Sequence, residues 1–164
     1  MVRQVAPDVP VSLSHEVVGT FREYERALTA CMNSYVRPKV ADYVNRLQSE
    51  LQSIGAKADV NILRSDAGLM TTREAARNPI YAVLSGPSGG VAGALFVASK
   101  AGFDDILTFD MGGTSTDVSH FDGEYERAFE TEIAGVRMRA PIMLIHTVAA
   151  GGGSVLHFDS ARFR

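Results

Sequence analysis

Apolar residues recur at helical spacing early in the chain. Phe21, Tyr24, Leu28, Cys31 and Tyr35 form one stripe, which predicts an amphipathic helix over 20–36. Pro38 interrupts that stripe and stands where a second helix can begin. Val40, Tyr43, Val44, Leu47, Leu51 and Ile54 continue as a second stripe up to Gly55, so the pattern predicts a helical hairpin or a sharply bent pair. The period then shortens. Residues 58–63 alternate as a strand, and 65–68 read as a turn. Thr71 or Thr72 followed by Glu74 marks a helix start that Asn78-Pro79 ends. Val83-Leu84-Ser85 is strand-like, the glycine run 85–90 reads as a turn, and 91–101 reads as a buried helix closed by Gly102.

Beyond residue 103 the pattern is β, with strands expected over 106–109, 117–121, 124–132, 136–145 and 155–158. Turns fall at Asp122-Gly123 and Gly135. Helices ahead of a strand-rich half give an α/β or α+β class. The expected division is 1–57, an extended lead-in plus a helical pair, and 58–164.

Composition narrows the function classes. The 164 residues are 46% apolar and 21% charged, ordinary globular values that suffice for a core. A formal net charge of −3 and the absence of Trp leave no electrostatic or base-stacking footprint for nucleic acid. The single cysteine, Cys31, excludes an internal disulfide and a Cys-based zinc site. It lies on the helical stripe as an expected buried hydrophobe and fits a cytoplasmic setting. No apolar run approaches the roughly 20 residues of a membrane span, and residues 1–7 carry no signal-peptide core. The extended start and uncapped end lead us to expect an internal fragment.

The chemistry concentrates at Asp110-Met111-Gly112-Gly113-Thr114-Ser115-Thr116-Asp117. A β-rich apolar run leads in and another leads out, so this is a glycine turn between strands. Gly112 and Gly113 are expected to take positive φ and to let backbone amides approach an anion. Those amides and the hydroxyls of Thr114, Ser115 and Thr116 can donate to phosphate oxygens. Carboxylates repel phosphate, so Asp110 and Asp117 point instead to Mg²⁺ or an activated water. The lysine of P-loop NTPases is missing. The bland alternative is a glycine hairpin with solvated aspartates. Two further clusters, 85–90 with Gly86, Gly89 and Gly90, and 151–154 with Gly151, Gly152 and Gly153, also follow apolar runs. The three could serve one nucleotide, the first through a helix N-terminus. Alternatively the outer two only permit close packing.

Residues 109–118 resemble the second phosphate motif of the hydantoinase A/5-oxoprolinase family. The resemblance extends through Pro10-Val11-Ser12-Leu13-Ser14-His15-Glu16-Val17, Ser65-Asp66-Ala67-Gly68-Leu69-Met70, Ser85-Gly86-Pro87-Ser88-Gly89-Gly90-Val91 and His146-Thr147-Val148-Ala149-Ala150-Gly151-Gly152-Gly153-Ser154, in the family's order. It implies a partial ribonuclease-H-like nucleotide-binding domain of the actin/hexokinase (ASKHA) superfamily. It also implies an ATP- and Mg²⁺-dependent cyclic amide hydrolase, in which ATP phosphorylates the amide oxygen before ring opening, and a hydantoinase B-type partner. The site it implies takes Asp110, Asp117 and His146 as catalytic residues, Asp110 as the metal-associated one, and the glycines and hydroxyls above as nucleotide contacts.

Two departures qualify the resemblance. The family's first Asp-Gly-Gly-Thr-type motif has no counterpart before Pro10, so this chain alone is expected to be inactive. Leu144 stands where an acidic residue is expected, which weakens a role for His146; a lone histidine on an apolar strand is more often a core residue. Asp66, at a strand end before Gly68, could face the cleft, and a turn cap is the more ordinary alternative. Competing readings are a nucleotide-binding module that only docks a hydrolytic partner, an acetone carboxylase-type subunit, and a sugar- or acid-kinase relative.

Overall fold

The computed structural model describes residues 2–7, 9–133 and 135–162. Two short helices, α1 (Val2–Val5) and α2 (Ser14–Val17), precede α3 (Glu23–Ser53), one continuous helix of 31 residues. The expected break at Pro38 does not occur. Proline removes one N–H from the ladder and its ring crowds the carbonyl four residues back, but α3 is held along its length by α2 and by residues 72–82 and 136–138. Gly55 ends the helix as the pattern predicts. At φ +77° it donates to Gln52 O at 3.0 Å, and Ala56 donates to Leu51 O at 3.0 Å.

The inward face of α3 is not the predicted stripe. Thr29, Ala30, Asn33 and Val44 are buried, whereas Phe21 just before the helix is 91% exposed and Tyr24 and Tyr35 face solvent. Cys31 is exposed, which corrects its assignment as a buried hydrophobe. Hydrogen bonds explain the choice of face. Asn33 Nδ2 donates to Arg77 O at 3.1 Å and Ser12 Oγ at 3.2 Å, and its Oδ1 accepts from Ile80 N at 3.3 Å. Thr29 Oγ1 donates to Glu25 O at 2.8 Å and accepts from Arg139 N at 3.0 Å.

β1 (Asn61–Leu63) and β2 (Leu69–Thr71) pair as an antiparallel hairpin. Asp66 caps its turn, accepting from Gly68 N at 3.0 Å and from Arg64 Nε and Nη2 at 3.0 and 2.8 Å. Thr71 Oγ1 then caps α4 (Thr72–Arg77) by accepting from Glu74 N at 3.2 Å. A 3₁₀ turn, Pro79–Ala82, comes next. Val17, Val18, Ala30, Ile80 and Met138 form one apolar cluster, and Val44, Met70 and Ala75 a second; Tyr81 packs against both.

α5 (Ser85–Lys100) begins earlier than the glycine pattern suggests, so 83–85 is not a strand and 85–90 is not a turn. Ser88 is fully buried, and its Oγ donates to Ser65 O at 2.8 Å and Leu84 O at 2.9 Å. Ser65 Oγ accepts from Leu84 N at 2.9 Å. These bonds fix the first turns of α5 despite the low helix propensity of glycine. Nor is α5 buried throughout: Val91 is enclosed, but Phe96 and Val97 are 62% and 66% exposed. Gly102, at φ +83°, closes it.

β3 (Asp105–Met111) and β4 (Thr116–Asp122) form an antiparallel hairpin. The expected long strands over 124–132 and 136–145 are instead short pieces: β5 (Arg127–Ala128), β6 (Thr131–Ile133), β7 (Val136–Met138) and β8 (Ile142–Met143). β5 pairs with β8 and β6 with β7, while β9 (His146–Val148) joins β4 to complete a three-stranded sheet in the order β3-β4-β9. Residues 155–158 form no strand. Every strand pairing among the described residues is antiparallel, so helix and sheet mix in the α+β manner.

The chain divides into two compact units. One comprises the residues up to Gly89 with Arg127–Met143, the other Gly90–Glu126 with the residues from Leu144 on. A boundary at residue 57 is therefore not where the structure parts. α3 packs against α4 and β7, which ties the helical segment to elements on the far side of that boundary.

Candidate functional site

The site lies in the second unit, at the end of the β3-β4-β9 sheet. Register sets its layout. Asp110 faces Asp117 across the β3–β4 pair, and Asp117 faces Thr147 across β4–β9. Directly opposed side chains share a face, so Asp110, Asp117 and Thr147 form one polar row. His146 pairs with Val118, which pairs with Phe109. Alternation places that set on the opposite face. The register therefore brings the two aspartates together and separates His146 from them. His146 is exposed.

Loop 112–115 joins β3 to β4 and is closed by Gly112 N donating to Ser115 O at 2.9 Å. The 150–153 loop lies directly against it: Gly152 N donates to Gly112 O at 2.9 Å, and Gly153 N to Gly113 O at 2.8 Å. Thr116 Oγ1 adds a 2.6 Å bond to Ala150 O. A Cβ on Gly151 would stand 2.6 Å from Gly112 O and 2.7 Å from both Gly113 C and Thr114 N. Gly151 is thus demanded by the contact between two backbones, and Gly153 similarly, with a Cβ 2.9 Å from Gly113 O.

Gly113 differs. Neither it nor Gly112 takes positive φ, which corrects that expectation, and a Cβ on Gly113 would meet nothing within 4 Å. The folded chain does not itself require glycine there. Among the described residues the amides of Gly113, Thr114 and Ser115 and the hydroxyls of Thr114 and Ser115 have no hydrogen-bond partner. Open space beside several free donors fits an anion with several oxygens, such as a phosphate chain. Buried Thr116 is different again, because its hydroxyl proton is already committed to Ala150.

The carboxylates differ as well. Asp117 is half-buried and accepts from Thr147 Oγ1 at 2.6 Å, whereas Asp110 is exposed. Among the described residues no three His, Cys, Asp or Glu side chains converge as a self-sufficient metal cage. Two carboxylates beside a loop with free donors nevertheless have the chemistry that Mg²⁺ takes, since it keeps several waters and commonly uses one or two carboxylates.

Gly86, Gly89 and Gly90 lie inside α5. A Cβ on Gly89 would stand 3.0 Å from Leu63 Cδ2, so that glycine serves close packing, while Gly86 and Gly90 have open space. Sequence reasoning missed Thr147. The alternation in His146-Thr147-Val148 separates Thr147 from His146, but only the pairing with β4 reveals its partner.

A paired-aspartate hairpin seated on a glycine strap defines a candidate anion-binding domain. The hydantoinase/oxoprolinase family model matches residues 26–164. The chain belongs to that family. It is 42% identical over 157 residues to 5-oxoprolinase 1 of Arabidopsis thaliana, covering 94% of this chain and 12% of that protein. It is 33% identical over 160 residues to caprolactamase subunit alpha of Pseudomonas jessenii, covering 97% of this chain and 23% of that subunit. The crystal structure of the ATP-dependent caprolactamase from the same organism superposes with a TM-score of 0.86 at 32% identity, over 98% of this chain and 23% of that one. The chain thus spans a quarter or less of these relatives' length. No helix among the described residues is long and apolar enough to cross a membrane.

Proposed function

We propose that this chain supplies the phosphate-binding wall of an ATP-dependent cyclic amide hydrolase with a ribonuclease-H-like, ASKHA-type nucleotide-binding domain. The observation that carries the reading is Gly113, where the fold leaves open space and free amides without needing glycine for itself. In this reading the Gly113, Thr114 and Ser115 amides and the Thr114 and Ser115 hydroxyls bind and orient the phosphates. Asp110 and Asp117 would hold Mg²⁺, which would offset the charge of the phosphates. The bound nucleotide supplies the phosphoryl group that makes the amide carbon electrophilic. The 150–153 strap keeps the cradle from spreading. His146 takes no direct part beside the aspartates, because it stands on the other face of the sheet. A relative named as a subunit alpha supports a second polypeptide; in this reading that partner is of the hydantoinase B type and completes ring opening in the cytoplasm.

Calorimetric titration of Mg·ATP into the natural protein tests this, with ADP release measured on 5-oxoproline and caprolactam. Saturable binding that Asp110→Ala weakens more than tenfold is expected. Failure of the unsubstituted protein to bind Mg·ATP, or equal binding by both proteins, overturns the reading.

A further inference from the structure

We infer that Thr147 is a positioning residue that fixes the Asp117 carboxylate for Mg²⁺-dependent nucleotide binding, an inference that rests on the proposed function. Three observations converge on it. Thr147 is in register with Asp117, which is in register with Asp110, so one face carries the three side chains in a row across three strands. The Thr147 hydroxyl donates to Asp117 Oδ1 at 2.6 Å. β9 leads straight into Ala150, whose carbonyl accepts from Thr116, and on to the glycines that strap the 112–115 loop.

The chemistry comes from the direction of that bond. An ionised carboxylate is acceptor-only, so the proton belongs to Thr147 and occupies a lone pair of Oδ1. A short bond to a charged acceptor is among the stronger protein hydrogen bonds and holds the carboxylate plane in one orientation. Asp117 also stands opposite another carboxylate, an arrangement that is unfavourable when both are ionised. Left free, it would rotate away from Asp110. The Thr147 bond restrains that rotation and leaves Oδ2 as the oxygen unclaimed by Thr147. Asp117 and Asp110 are thereby prepared to share one hydrated cation beside the free amides of the loop. In this role Thr147 acts through Asp117, to which its hydroxyl is already committed.

The test uses the natural protein and its Thr147→Val, Thr147→Ser and Asp117→Asn forms. Valine keeps the branched shape that suits β9 and removes only the donor. Calorimetry gives the affinity for ATP without metal and the Mg²⁺ concentration that half-saturates its enhancement. We expect Thr147→Val to raise that Mg²⁺ concentration about tenfold, as loss of one charge-assisted bond implies, with metal-free ATP affinity unchanged. Thr147→Ser should return to within about twofold of the unsubstituted protein. In the Asp117→Asn background the valine change should have no further effect on Mg²⁺ dependence. An unchanged Mg²⁺ dependence in Thr147→Val, or equal weakening of ATP binding with and without metal, overturns the positioning role while leaving the proposed function standing. Should Thr147→Val fail to fold, Thr147→Ser together with Asp117→Asn decides: a serine form that binds metal-free ATP normally but has lost its Mg²⁺ enhancement overturns the hydroxyl's role. Absence of Mg·ATP binding by the unsubstituted protein overturns both.

Discussion

Replacing Gly151 with alanine separates a glycine that the fold needs from one that a ligand needs. The added Cβ would lie 2.6–2.7 Å from Gly112 O, Gly113 C and Thr114 N, all backbone atoms of the facing loop. No side-chain rotation can relieve that contact, so the 150–153 strap must lift away. Lifting breaks the Gly152 N–Gly112 O and Gly153 N–Gly113 O bonds of 2.9 and 2.8 Å. Each contributes about 0.5–1.5 kcal/mol net, and residual overpacking adds about 1–3 kcal/mol. Gly151→Ala should therefore cost about 2–6 kcal/mol of local stability. Hydrogen-exchange mass spectrometry over 112–116 and 150–154 reads this directly, as lost protection at the Gly152 and Gly153 amides. Gly152→Ala is the matched control, because its Cβ meets Gly112 O at an ordinary 3.8 Å; it should stay within about 0.5 kcal/mol. Gly113→Ala should leave protection intact, or raise stability by up to about 1 kcal/mol through the unfolded chain, yet weaken nucleotide binding about tenfold. Unchanged protection in Gly151→Ala would refute the close-contact argument. Local destabilisation by Gly113→Ala equal to that of Gly151→Ala would refute the claim that Gly113 is free of the fold.

Two further outcomes test the first unit. Asn33→Ala removes a buried carboxamide that bonds Ser12, Arg77 and Ile80. It should destabilise by about 2–4 kcal/mol in urea unfolding, whereas Tyr35→Ala on the exposed side should cost about 0.5 kcal/mol or less; equal losses would contradict the polar assignment of the inward face. Burial raises the Tyr81 pKa above its ordinary 10.0, partly offset by the nearby Arg64 guanidinium, and its hydroxyl donates to Val17 O. A raised folded-state pKa means that the contribution is complete below pH 10 and is lost as pH rises through the folded value. The stability difference between the protein and Tyr81→Phe should therefore shrink above pH 10, and a difference constant to higher pH would contradict it.

The legible parts of the sequence were those fixed by local chemistry. Gly55 and Gly102 end their helices, Thr71 caps α4, Asp66 caps its turn, and the two strands around 110–117 arise from their residues with little help from elsewhere. The misread parts depend on partners far along the chain. A helix stripe shows which side is apolar, but α3 turns inward the side whose Thr29 and Asn33 find partners at Arg139, Arg77 and Ile80. Pro38 signals a break, but a missing N–H and a crowded carbonyl do not outweigh packing along both sides of it. Ser85–Gly90 has turn composition, yet the bonds of Ser88 to Ser65 and Leu84 wind it into α5. The candidate site divides in the same way. Asp110 and the Gly112-Gly113 pair announce themselves by composition, whereas Thr147 and the demand for Gly151 arise only from strand register and loop contact. Glycine in a sequence is therefore ambiguous between a fold requirement and a ligand requirement. The decisive observation is what a Cβ would strike: the opposing backbone at Gly151, and open space at Gly113.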